Sequence, residues 1–518
     1  MGDEEAQRGE SGGTGTDQQS SKPTESRKAN EADLEGSYTG ALLLAILSSS
    51  IGGSFQFGYH IGCINVPSQV MKDWFRDSHE ILTGNKLEEK DIAKYQWGIT
   101  VSLFAVGGMV GGLACGWAAD RFGRKGAMIA NNVVAMLAAL FMSIARFVNT
   151  YHLIMIGRIL IGINAGASSG LVPMYLIEIS PVNLRGTIGS IPQFMVTFSI
   201  LFSQILGLPQ VLGTAEHWPL IFAFTAVPVL IQVCTLPFCV ESPKYNLIVR
   251  DLAEQAEEDL KKLRGKNDVG AEMDIMREEA AAMAKVEKVK MGDLFKGSLA
   301  WPMFIAIMMM IAQQFSGINV AMFFSTSIFE GAGLKDNAIY ATLGMGACNV
   351  LMTVASVFLV DKCGRRILLL LGLLGMLIAS VLLTISISLY VANNESNQWA
   401  AYLSMLFVFG FVISFATGPG SIPWFFVSEL FDSGARGGAN SVAANVNWTS
   451  NFIVGLSWEF LNQSLKHYAF LIFACFQGFF IFFVYVYVPE TKGRSIEDIK
   501  QEMKRGKSIW ARQGGGGD

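Results

Sequence analysis

Apolar residues along this chain gather in long unbroken runs rather than in period-two alternation or narrow helical stripes. Runs of about 20 such residues cross a hydrocarbon layer of roughly 30 Å as helices. Twelve can be placed, at 39–62, 95–118, 126–147, 152–176, 186–208, 218–239, 300–325, 338–360, 367–391, 400–428, 438–460 and 468–488. The seventh run holds an anomaly, "IAQQFSGIN" from Ile311 to Asn319, where two glutamines, a serine and an asparagine interrupt the apolar sequence. Polar groups at that depth are costly unless partnered. With about 100° per residue, Gln313, Gln314 and Asn319 fall at about 0°, 100° and 240° around a straight helix, so one straight helix cannot aim all three inward. Gly317 between them predicts a break or kink.

Internal repetition organises the runs. "DRFGRK" at Asp120–Lys125 returns as "DKCGRR" at Asp361–Arg366, and "EISPVNLRG" with Glu178 and Arg185 returns as "ELFDSGARG" with Glu429 and Arg436. "ESPK" after the sixth run matches "PETKGR" after the twelfth, aligning Glu241 with Glu490. Three matches in one order predict two six-helix repeats joined by an insert, an all-α membrane protein with the major facilitator fold. The expected organisation is an N-terminal tail over 1–37, six helices over 38–240, a cytoplasmic helical linker over 241–298, six helices over 299–489 and a C-terminal tail over 490–518. In the linker, Leu252, Ala256, Leu260 and Leu263 fall on one helical stripe. The tail over 1–37 is rich in Gly, Ser, Glu and Lys and reads as disordered, with no cleavable signal.

Composition agrees with the membrane reading: of 518 residues 51% are hydrophobic and 16% charged, against about 25% charged in ordinary soluble proteins. A net charge of −4 argues against a nucleic-acid partner. Arg121, Arg124, Lys125, Arg185, Lys362, Arg365, Arg366, Arg436 and the basic tail from Lys492 fall on one side, which the positive-inside rule makes cytoplasmic together with both termini. The seven cysteines show no metal-ligand spacing and read as packing residues. Enzymatic readings find no support: there is no H-E-x-x-H, and the "RGKS" at Arg505–Ser508 lacks the upstream glycine of a phosphate-binding loop. No cofactor or metal is expected.

The neutral amides Gln193, Gln313, Gln314, Asn319, Asn349, Asn447 and Asn451 each offer two donors and an acceptor, a set suited to hydroxyl groups rather than ions. Trp424 and Trp448 add flat apolar faces, and together they imply a small neutral polyol. The repeated acid and base clusters at the loops suit a gate of ion pairs on the cytoplasmic side. Small residues in "GGMVGGLACG" and at Gly162, Gly166 and Gly170 let helices approach closely.

These motifs resemble the sugar porter family of the major facilitators, most closely the animal facilitative glucose transporters. The resemblance runs from about Ser54 to Arg494 through "QFGY", "DRFGRK", "GRILIG", "VPMYLIEISP", "QQFSGIN", "STSIFE", "GPGSIPWF", "NWTSNFIVG" and "PETKGR". It implies alternating access around a central sugar site made by Gln193, Gln313, Gln314, Asn319, Asn349, Trp424 and Asn447. Gating is implied for Asp120, Arg121, Arg124, Glu178, Arg185, Glu241, Asp361, Arg365, Arg366, Glu429, Arg436 and Glu490, with Phe323 and Phe324 standing for the usual outer tyrosine pair. Departures exist: Ala416 occupies a position that is usually glutamate, and the first loop has no sequon. Asn394 and Asn462 are the sequons placed outside, whereas the Asn447 sequon lies within a span. In "FGYHIG", His60 stands where the family's proton symporters carry aspartate and its uniporters a neutral residue. The expectation is a facilitative hexose uniporter of the plasma membrane, D-glucose first, with a proton-coupled symporter or a sugar-sensing receptor as rivals.

Overall fold

The computed structural model describes residues 35–86, 88, 91, 96–285, 289–392, 397–492, 494 and 496–504. The sequon asparagine Asn394 and almost all of the expected tail over 1–37 lie outside them. Among the described residues ten helical runs are long and apolar enough to cross a membrane. Two are too long for one crossing: Gly98–Ile144 has 47 residues and Gly434–Tyr487 has 54, about 70 and 80 Å of helix against a layer of roughly 30 Å. The first breaks at Gly123, whose φ of 80° and ψ of 169° leave the helical region. The second consists of Ser433–Leu465 and Ala469–Tyr487, joined by the turn Lys466–Tyr468. Counting each as two gives twelve segments, called spans 1 to 12 below.

Span 6 is interrupted by a turn at Phe224–Thr225, and spans 7 and 10 are broken mid-way by glycines. Span 7 consists of Ala300–Phe315 and Ile318–Gly331, separated at Gly317, where φ is 92°. Only glycine adopts that conformation without strain, so the break foreseen from "QQFSGIN" is a property of one residue. Span 10 consists of Gln398–Thr417 and Ile422–Leu430, parted by the Gly418–Pro419–Gly420 turn.

Buried apolar residues form three large cores, and their membership shows how the halves meet. One contains only residues of the first half and the insert, from Leu42 to Leu263; a second contains only residues from Leu294 to Ile499. Both lie at the end of the bundle that carries the Arg-rich loops. The third joins residues of both halves, among them Phe55, Tyr59, Phe104, Phe323, Phe324, Trp448 and Trp458. The halves therefore share one core from mid-depth to the far end and keep separate cores at the basic end.

The insert contains the short helix Pro243–Ile248 and two longer ones, Ala253–Arg264 and Gly270–Lys285. Ala256, Leu260 and Leu263 are buried as their stripe predicts, but Leu252 is exposed because it precedes the helix as its N-cap. Arg264 fixes the insert to the first half, donating to Glu272 at 2.9 and 2.6 Å and to the Ile179 carbonyl, at the end of span 4, at 2.8 Å. The first loop, read as plain loop in the sequence, contains the helix Ser68–Thr83, which buries Met71, Phe75 and Ser78. All seven cysteines are free; Cys63, Cys115 and Cys239 are buried, whereas Cys234, Cys363 and Cys475 are exposed and do not pack.

Candidate functional site

The two broken helices meet. Unwinding span 10 at Gly418–Gly420 frees backbone carbonyls, and an unpaired carbonyl at that depth needs a donor. Gln313 supplies it, its Nε2 donating to the Pro419 and Gly420 oxygens at 2.8 and 2.7 Å. Gln477 of span 12 does the same for span 7, donating from Nε2 to the Ser316 carbonyl at 2.7 Å beside the Gly317 break.

From Gln313 a network of amides extends inward. Asn447 Nδ2 donates to Gln313 Oε1 at 2.6 Å, Gln314 Nε2 donates to Asn447 Oδ1 at 2.8 Å, and Asn319 Nδ2 donates to Gln314 Oε1. The break at Gly317 brings Asn319 back onto the face carrying Gln314, which a straight helix would not do. Four of the expected site residues thus form one buried cluster. Asn349 is also buried, Gln193 and Trp424 are half-buried, and among the described residues the amides of Gln193 and Asn349 hold no protein hydrogen bond. Ala416 is buried and adds no polar group. Trp448 packs across the two halves, 5.5 Å from Phe57 and 5.8 Å from Phe104 between ring centroids.

At the basic end each half closes on itself. Arg124 holds both oxygens of Glu178, Nε and Nη2 each at 2.8 Å, and lies 5.0 Å from the Tyr245 ring centroid. Asp120 is a distant and exposed partner of the same arginine at 3.9 Å. Glu241 accepts from the Lys125 backbone N–H at 3.2 Å and from Ser242 N–H at 2.9 Å. Burial pushes its carboxyl up from the ordinary value, while those N–H donors and Arg124 and Lys125 pull it back. In the second half Arg365 reaches one oxygen of Glu429 at 3.3 and 3.1 Å, and Glu490 accepts from the Arg365 and Arg366 N–H groups at 2.9 and 3.0 Å. Gly123 and Gly364, with φ of 80° and 89°, make the turns that present these N–H groups.

Within "EISPVNLRG" and "ELFDSGARG" the acid and the arginine do not pair with each other: Glu178 is held by Arg124, not Arg185, and Glu429 by Arg365, not Arg436. Each acid is taken by the arginine of the other motif, because the glycine turn aims Arg124 and Arg365 along the helix end. Arg185 instead lines, with Glu178, Lys244 and Glu279, a cavity of about 150 Å³ against the insert. Arg436 donates to the Phe431 carbonyl at 3.3 Å. Arg121 is exposed, and the Asp361 side chain lies outside the described residues.

The far end carries a site that sequence reasoning missed. Asn65, just beyond span 1, donates to the Met322 carbonyl at 2.8 Å and to Ser325 Oγ at 2.6 Å, and its Oδ1 accepts from Thr326 N–H at 3.2 Å. It ties the first half to the second piece of span 7, Ile318–Gly331. Phe323 and Phe324 are buried beside it, with Phe324 6.3 Å from Trp458.

The family profile described as "Sugar (and other) transporter" matches residues 45–503. The chain belongs to the sugar transporter family. It is 55% identical over 457 residues to "Facilitated glucose transporter protein 1" of Caenorhabditis elegans, covering 88% of this chain and 89% of that one. It is 39% identical over 472 residues to "Solute carrier family 2, facilitated glucose transporter member 1" of Gallus gallus, covering 91% and 95%. In fold this family member superposes on the inward-open xylose transporter of E. coli with a TM-score of 0.73 at 24% identity, covering 89% of this chain and 99% of that one.

Proposed function

We propose that this sugar transporter is a facilitative hexose carrier, D-glucose its first substrate, working as a uniporter by alternating access. The observation that carries the reading is the buried amide cluster Gln313, Gln314, Asn319 and Asn447 at the meeting of two broken helices. Its donors and acceptors are exchangeable for hexose hydroxyls without net charge. Gln193 and Asn349 supply free amides, and Trp424 an apolar face for the ring. The names of the relatives from worm and chicken support glucose as the substrate.

Uniport is supported by how the polar groups under the far end are held. Arg158, fully buried, donates to the His60 carbonyl at 2.8 Å and lies 4.5 Å from the Phe104 ring centroid. His60 itself meets Thr225 Oγ1 at 2.9 Å. Among the described residues no carboxylate faces this pair to carry a proton through the cycle. The protein binds and releases its sugar unchanged and performs no chemistry on it.

We place both termini and the Arg-rich loops in the cytoplasm and the chain in the plasma membrane. Asn65, Phe323, Phe324 and the sequons Asn394 and Asn462 then face the outer side, and the shared core at the far end makes this an outward-closed state. The pairs of Arg124 with Glu178 and Arg365 with Glu429, together with Asp120, Arg121, Arg185, Glu241, Asp361, Arg366, Arg436 and Glu490, act at the inner gate. Saturable uptake of labelled D-glucose by the purified chain in liposomes, competed by unlabelled glucose, tests the reading. Uptake no faster than in empty liposomes would refute it.

A further inference from the structure

Two buried amides sit at the closed far-end interface between the halves, and they are treated oppositely. Asn65 spends both its donor and its acceptor on span 7. Gln204, on span 5, is fully buried, and neither its Nε2 nor its Oε1 finds a partner. What faces it across the interface is Gly346 of span 8: a methyl group there would lie 2.5 Å from Gln204 Oε1. The glycine therefore lets the two halves close over the amide while offering it nothing to bond. When spans 5 and 8 part, water reaches the same group and satisfies it. A polar group unsatisfied in one conformation and hydrated in the other raises the free energy of the first relative to the second.

We propose that Gln204, opposed by Gly346, is a positioning residue that holds the closed far end at raised free energy and so returns the empty carrier to the state open at that end. Asn65 and the shared core favour closure, and Gln204 opposes them, so neither state traps the carrier. The inference rests on the alternating-access reading but not on which sugar is moved.

The test is made on the full chain in liposomes without sugar, by hydrogen exchange at residues 322–326, the segment that Asn65 holds. Gln204→Leu removes the unmet amide at nearly constant volume. Exchange at that segment should slow by about 5- to 150-fold, the range that 1–3 kcal/mol of coupling gives. Gly346→Ala, which sets a methyl group against the amide, should accelerate it, and Gln204→Ala combined with Gly346→Ala should bring it back towards wild type. In glucose flux the Leu variant should raise the half-saturation concentration for entry and lower it for exit. Unchanged exchange in both single variants, or exchange altered without the opposite signs, would overturn the proposal. Absent glucose flux in the wild type would instead overturn the substrate reading and leave the exchange result to decide this one.

Discussion

The basic ends of the two halves are built from one repeated motif and yet are closed differently. In the first half Arg124 grips Glu178 through two bonds of 2.8 Å, with side-chain exposures of 11% and 15%. In the second, Arg365 reaches only one oxygen of Glu429, at 3.1 Å or more, and exposures rise to 17% and 28%. The second oxygen of Glu429 accepts instead from the Thr491 hydroxyl. The cause lies in the residue after each repeated acid. Ser242 follows Glu241 and is itself followed by Pro243, so it caps the helix Pro243–Ile248 by accepting from Tyr245 N–H at 3.2 Å. That helix sets the Tyr245 ring against Arg124 and leaves Glu178 wholly to the arginine. Thr491 follows Glu490 without a proline, starts no helix, and turns its hydroxyl to Glu429. Two differences between the repeats, Ser242 against Thr491 and Pro243 against Lys492, therefore accompany the change from a two-pronged ion pair to a shared one.

The comparison can be broken most strongly at the arginines. Arg124→Ala strands a largely buried carboxylate and should cost about 2–4 kcal/mol of stability. Arg365→Ala leaves Glu429 with Thr491 and more water, and should cost about 1–2 kcal/mol. Thermal unfolding of the two variants checks the order, and equal losses would contradict it.

Thr491→Val sharpens the same point more gently. Removing the competing hydroxyl should cost about 1 kcal/mol or less, because the freed oxygen of Glu429 can turn to Arg365. A loss as large as that of Arg365→Ala would show that the hydroxyl, not the guanidinium, holds the acid.

The smallest expected effect is on pH dependence. Burial raises the Glu241 carboxyl above its ordinary 4.5, so the folded chain binds this proton more tightly than the unfolded chain does. The group's contribution is therefore full below pH 4.5 and falls as pH rises through the raised folded value. Glu241→Gln should flatten the stability profile just above pH 4.5; a profile unchanged from wild type would assign the slope to other groups.

Much of this was legible in the chain. The twelve runs, the repeated motifs and the break at Gly317 are local properties: apolar length, residue order and the φ that only glycine takes easily. The amide cluster was legible as a set because four polar residues in an apolar context demand partners. Which partner each would take was not. Glu178 and Arg185 stand seven residues apart and look like a pair, yet Arg124, a different helix away, wins because the Gly123 turn aims it. Asn65 and Gln204 were passed over because a lone amide gains meaning only from what lies across the interface. The helix Ser68–Thr83 was missed for a similar reason: its four buried positions, Ser68, Met71, Phe75 and Ser78, are too few and too polar to register beside the membrane runs.

The central claim is that sugar moves down its own gradient without proton coupling, and one measurement addresses it directly. Sealed liposomes holding the purified chain are given external D-glucose and an inward proton gradient. Internal glucose should rise to the external concentration and stop there, with the gradient changing at most the rate. Accumulation above the external concentration, lost in His60→Asn, would contradict the uniporter and make the pair of His60 and Arg158 a coupling site.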